Sequence, residues 1–176
     1  MSEETKLCIR CNRVLPIEHF HKNKTQPDGH RVYCKDCVSE YGKKYRSTPQ
    51  GIYQNILGRQ TYYKKHGHWR YKPVHISQDD FVEWWEAQEQ KCHYCGIYED
   101  ELSLVDDTQN TKATRLTVDC IKNEAGYSLD NMVLACGRCN FVKNDFFTHE
   151  DMIKIGKTFI TPKWKLMLKQ SKMEEE

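Results

Sequence analysis

Four Cys-x-x-Cys pairs, Cys8/Cys11, Cys34/Cys37, Cys92/Cys95 and Cys136/Cys139, take up eight of the nine cysteines in this 176-residue chain. Two residues between thiols let one tight turn aim both sulfurs at a single ion, and two such turns complete a tetrahedral zinc site. Sequence order joins Cys8/Cys11 with Cys34/Cys37, and Cys92/Cys95 with Cys136/Cys139. The expectation is two structural Zn²⁺ ions, because four thiolates leave no open position for substrate. Disulfides fit poorly. The start, MSEETKLC, is polar and acidic and does not read as a signal peptide. No apolar run is long enough to span a bilayer, so no membrane partner is expected. The expected location is intracellular, where thiols stay reduced. Nothing beside the pairs reads as the strand-to-helix unit of a thioredoxin-like redox motif.

With 38% hydrophobic and 30% charged residues, one large core is not expected, and small metal-stapled units are. The net charge of +2 hides an asymmetry. Residues 1–75 carry 15 Lys/Arg against 6 Asp/Glu, or +9, and residues 76–176 carry 12 against 19, or −7. A basic half with aromatics between the charges suggests a polyanion partner, with DNA first. The acidic half leaves room for a protein partner. The residues expected to meet phosphates are Lys43, Lys44, Arg46, Arg59, Lys64, Lys65 and Arg70, with Tyr62, Tyr63 and Trp69 able either to stack on bases or to pack.

The pattern divides the chain into a zinc ribbon (1–42), a basic aromatic helical linker (43–75), a metal-finger domain (76–147) and C-terminal helices (148–176). A basic helix is expected from Ser39 to Tyr45. Thr48 and Pro49 open a second helix over 49–66. Ser77 with Asp80, and Thr148 with Asp151, read as capping boxes before two more helices, the second ending near Phe159. Residues 99–114 lack periodicity and read as a loop. Strands are expected at 115–121 and 132–135, followed by a helix in CGRCNFVKNDFF and a separate short C-terminal helix.

Strand, loop, strand and helix, with a Cys-x-x-Cys pair at the last junction, resembles the ββα-metal finger of the HNH endonucleases. The resemblance rests on Asp119, Asn131, Asn140 and Lys143 in LTVDCIKNEAGYSLDNMVLACGRCNFVK, with the upstream KCHYCGIYED, and covers about residues 76–147. The N-terminal ribbon looks like those preceding such domains in bacteriophage proteins, implying a phage origin and host cytoplasm. The implied fold class is α+β: small zinc-stapled domains comprising a zinc ribbon, a basic helical linker and a C-terminal HNH finger. The implied activity is metal-dependent phosphodiester hydrolysis. Asp119 and Asn140 would hold a catalytic Mg²⁺ or Mn²⁺, and Asn131 would brace the loop. Asn144, four residues after Asn140 and so expected on the same helix face, would add a ligand or a phosphate contact.

One position departs from the family pattern. The general-base histidine that follows the aspartate is here Cys120. A thiol with a reference pKa near 8.5 is mostly protonated at neutral pH, and general-base catalysis supplies ~10²–10⁴-fold. The substitute bases considered are His93 and His149, then His19, His21 and His30 if the ribbon folds back, and Lys122. Three functions stay open: an HNH endonuclease, a weak or inactive HNH-fold zinc protein that binds DNA or regulates, and a module for host transcription or replication proteins.

Overall fold

The computed structural model describes residues 4–105 and 114–174. The chain forms two compact units, Met1–Asn55 and Ile56–Glu176. Residues 43–75 are shared between them. No helix of the described residues is long and apolar enough to cross a membrane. The architecture is α+β, made of three separate two-stranded antiparallel sheets and six α-helices among the described residues.

In the first unit β1 (Thr5–Leu7) pairs with β2 (Val14–Pro16), and the first thiol turn lies between them. The turn closes with Cys8 N–H donating to Arg13 O at 2.9 Å, while Asn12 adopts φ 54°. β3 (Phe20–Lys22) pairs with β4 (His30–Cys34). Cys8, Phe20, Cys34 and Cys37 are its buried cluster, with Cys11 and Leu15 packed against it. Four of those six residues are metal-ligand candidates, so this unit has almost no apolar core apart from them. Helix α1 (Lys35–Arg46) starts directly at Cys34, earlier than the Ser39 expected from sequence. The second thiol pair is itself the first turn of that helix. Helix α2 (Pro49–Lys65) opens as expected, with Thr48 Oγ1 accepting from Gly51 N–H at 3.1 Å.

The second unit repeats that strand-to-helix device. α3 (Gln78–Glu86), capped by Ser77, buries Phe81 and Trp85 and delivers the chain to Cys92. β5 (Leu116–Cys120) and β6 (Met132–Cys136) form a regular hairpin that registers Asp119 opposite Val133. Cys136 ends β6 and caps α4 (Gly137–Lys143). The 99–114 loop contains a 3₁₀ turn, Asp100–Ser103, that buries Leu102; its residues 106–113 lie outside the described residues.

α5 (His149–Ile155) has the capping box expected at Thr148 and Asp151. It does not stop near Phe159. A π-helical turn, Gly156–Ile160, carries it straight into α6 (Thr161–Glu174). Pro162 falls at the second position of α6, just after the wider turn, where its missing N–H disturbs little. Thr161 Oγ1 contacts Gly156 O at 2.8 Å and Cys95 O at 2.9 Å, fastening the turn to the thiol knuckle. A Cβ at Gly156 would lie 2.3 Å from Tyr94 O, so only glycine lets the helix approach that backbone.

Gly156→Ala therefore tests this contact. Helix propensity alone would stabilise the variant by ~1 kcal/mol. The clash with fixed backbone is expected to dominate, costing about 1–3 kcal/mol and lowering the melting midpoint by several degrees. A raised midpoint in a thermal melt would show that the close approach is absent.

Candidate metal centres and active-site cleft

Cys8, Cys11, Cys34 and Cys37 form one cluster, and Cys92, Cys95, Cys136 and Cys139 another, with all sulfurs in each within 4.8 Å of one another. A tetrahedron of Zn–S bonds near 2.3 Å requires sulfurs about 3.8 Å apart. The observed separations are 3.8 Å for Cys8–Cys37, 4.0 Å for Cys11–Cys34 and 3.7 Å for Cys95–Cys136. Both clusters thus fit a structural zinc ion. In the first, Arg13 Nε donates to Cys11 Sγ at 3.3 Å and holds that thiol below its usual pKa. Cys120 belongs to neither cluster.

The ββα arrangement brings Asp119 and Asn140 to one cleft and sets Asn131 in the loop between the strands. Asn131, just before β6, accepts from Lys122 N–H at 2.9 Å and donates to Lys122 O at 2.8 Å and Gly126 O at 2.7 Å. It ties off the loop between the strands. Asn140, on α4, donates from Nδ2 to Thr117 Oγ1 at 2.9 Å, which ties α4 to β5. Asp119 is buried at the end of β5. Its Oδ2 accepts from Tyr94 OH at 2.7 Å and pairs with Lys143 Nζ at 3.0 Å. Lys143, also buried, hydrogen-bonds Cys120 O as well. Burial, then the Asp119 charge, pushes the Tyr94 phenol far above its ordinary range, so it stays a donor.

A cleft of about 820 Å³ opens over this site, lined by Asp119, Asn140, Asn144 and Lys143 and by the cations Arg59, Arg70, Lys72 and Lys122. The segment after α2 reaches it because Pro73 O accepts from Tyr127 N–H at 2.8 Å and Tyr127 O from His75 N–H at 2.8 Å. Gly126 makes this possible, with φ 71° and Pro73 O where a Cβ would stand. Lys72 Nζ then donates to Asn123 Oδ1 at 2.6 Å, and burial lowers its pKa. Tyr94 and Lys72 carried no sequence signal, because only the tertiary fold brings them to the site.

Other sequence candidates are placed differently. α4 ends at Lys143, and Asn144 adopts φ 44°, so Asn144 does not share a helix face with Asn140. It lines the cleft from the turn beyond, where its carbonyl accepts from Asn123 Nδ2 at 2.9 Å. Cys120 has no exposed surface, and burial pushes its thiol up to about 11. His149 lines the cleft and stacks on His93 with ring centroids 5.0 Å apart. Burial, then the neighbouring His149, lowers the His93 pKa. His19, His21 and His30 lie in the first unit. Arg59 and Arg70 line the cleft, and Arg70 sits 4.7 Å over the Trp69 ring. Lys64 and Lys65 are exposed on α2, and Lys43, Lys44 and Arg46 occupy the last turn of α1.

A β-hairpin and helix stapled by four thiols, with Asp119, Asn140 and Asn144 lining one cleft, define an HNH-type zinc-stapled fold. Among solved structures the chain is similar to the rare-cutting HNH restriction endonuclease PacI, at TM-score 0.51 and 24% identity, covering 91% of this chain and 96% of that one. No family model and no curated protein sequence matches the chain.

Two measurements check this description. Metal analysis is expected to find two zinc ions per chain, falling to one when Cys92 and Cys95 are changed to serine, with loss of the second unit's fold. Lys143→Met leaves the Asp119 carboxylate buried without its cation and is expected to cost about 3–5 kcal/mol in denaturant unfolding. A loss below about 1 kcal/mol would show that the pair does not hold the site.

Proposed function

We propose that this chain is an HNH-type, metal-dependent DNA endonuclease that hydrolyses or nicks a phosphodiester. The observation that carries the reading is Asp119 and Asn140, held on adjoining elements, facing one cationic cleft. Asp119 Oδ2 is engaged by Tyr94 and Lys143, and Asn140 Nδ2 by β5. The remaining carboxylate and amide oxygens are hard donors that suit Mg²⁺ or Mn²⁺. A divalent ion there would supply stabilisation of the charge that develops on the scissile phosphate and the leaving 3′ oxygen. Lys143 fixes the carboxylate, Asn140 ties α4 to β5, and Asn131 fixes the loop that follows Cys120. Asn144 adds a phosphate contact. Arg59 and Arg70 at the cleft, with Lys43, Lys44, Arg46, Lys64 and Lys65 on the helices, neutralise backbone phosphates. Trp69 and Tyr63, which line the same cleft, stack on bases. DNA is also the substrate that the likeness to a restriction endonuclease supports.

A second reading is favoured by one feature: Cys120, at the general-base position, is a fully buried thiol kept neutral by its surroundings. In that reading the fold binds DNA with weak cleavage or none. Supercoiled plasmid incubated with Mg²⁺ or Mn²⁺ separates the two. The endonuclease reading expects nicking that is lost in Asp119→Ala and Asn140→Ala and retained in Cys120→Ala. Nicking by Cys120→His alone, with salt-sensitive DNA binding by the wild type, would assign the second reading.

A further inference from the structure

The first unit carries a groove of its own, remote in sequence from the catalytic candidates. It has a volume of about 660 Å³ and is lined by Ile9, Arg10, Arg31, Tyr33, Val38 and Tyr41, with the Cys37 side chain below. Its shape follows from the fold. Ile9 N–H donates to Val32 O at 3.3 Å, so the first thiol turn lies along β4. Arg31 and Tyr33 alternate on that strand and so share one face. Tyr41 stands one turn along α1 from Cys37 and Val38, closing the far wall.

Two features of this groove are unusual together. Ile9, Tyr33 and Tyr41 are between 43% and 57% exposed, an apolar and aromatic floor left to solvent. The cations beside it are uncommitted, whereas others in this unit are paired. Lys6 is paired with Asp28, and Arg13 with Asp36 at 3.4 Å. Among the described residues Arg10 and Arg31 have no carboxylate partner, and no carboxylate lines the groove. The Arg10 guanidinium instead lies 5.2 Å from the Tyr41 ring centre, flat charge over an aromatic face.

We propose that this groove binds a nucleic-acid strand, with Arg10 and Arg31 on phosphates and Tyr33 and Tyr41 against base or sugar faces. A polyanion matches the two unpaired guanidinium groups, and a π face matches the exposed rings. An apolar protein segment would bury both arginines without a counter-charge, which disfavours it. The inference rests on the DNA substrate proposed above, and it gives the protein a second contact surface outside the cleft.

The test is fluorescence anisotropy of the full zinc-loaded protein with a short labelled duplex and the matching single strand, without added Mg²⁺ or Mn²⁺, across a salt series. Arg10→Ala with Arg31→Ala is expected to weaken binding about tenfold or more and to lower the salt slope by about one per arginine. Tyr41→Ala is expected to weaken binding with little change in slope, and Tyr41→Phe to restore it. Zinc content measured in parallel shows that each variant keeps its staple. The strand form with the larger loss identifies the natural ligand. Affinity unchanged in both Arg10→Ala/Arg31→Ala and Tyr41→Ala overturns the proposal, as does an equal loss of binding to a polyglutamate peptide. Nicking of supercoiled plasmid with Mg²⁺ is read separately on the wild type: its absence removes the endonuclease reading and leaves the groove standing, because the binding series contains no Mg²⁺ or Mn²⁺.

Discussion

The second thiol cluster is the constraint on which the rest of the second unit depends. Cys92 and Cys95 come from a knuckle after α3, and Cys136 and Cys139 from the junction of β6 and α4. Closing that cluster brings the knuckle against the hairpin, where His93 N–H donates to Leu134 O at 2.8 Å. A two-stranded hairpin is marginal alone. Here it is pinned by the thiols at one end and by Asn131 at the other. The helix of α5 and α6 presses on the knuckle from outside through Gly156 and Thr161.

Placing a carboxylate at the centre of that assembly carries an electrostatic cost. Asp119 and Lys143 are both nearly inaccessible to water, and desolvating two charges offsets most of their attraction. The remaining hydrogen bonds decide the balance. Tyr94 supplies one to the carboxylate, and Cys120 O takes one from the ammonium group. The result is a carboxylate with one oxygen held and a fixed direction for the other. That preorganisation is what the proposed metal-assisted reading asks of Asp119.

Much of this was legible in the sequence, where the chemistry was local. Paired cysteines two residues apart, and Ser77 and Thr148 as caps, each state their role within a few residues, and the hairpin-helix pattern does bring Asp119 and Asn140 to one cleft. Features that depend on distant packing were not legible. Tyr94 reads as knuckle filler until the knuckle meets β5. Lys72 reads as one of many basic residues until Gly126 admits Pro73. Asn144 failed the helical-face argument because one positive φ ends α4 a residue earlier. The separate C-terminal helix expected from sequence instead continues from α5, because a π turn has no local signature of its own.

Tyr94 lies between Cys92 and Cys95, and its hydroxyl is one of the two groups that hold Asp119. The metal staple and the candidate catalytic carboxylate are therefore mechanically joined, by Tyr94 from the knuckle and by Lys143 from the helix that Cys136 caps. Thiolates are open to oxidation in a way that carboxylates and amides are not. An oxidant that ejects the ion would loosen both the knuckle that carries Tyr94 and the helix that carries Lys143, the two groups that hold Asp119. Chemistry at the sulfur cluster would thereby reach a carboxylate that is not itself oxidisable.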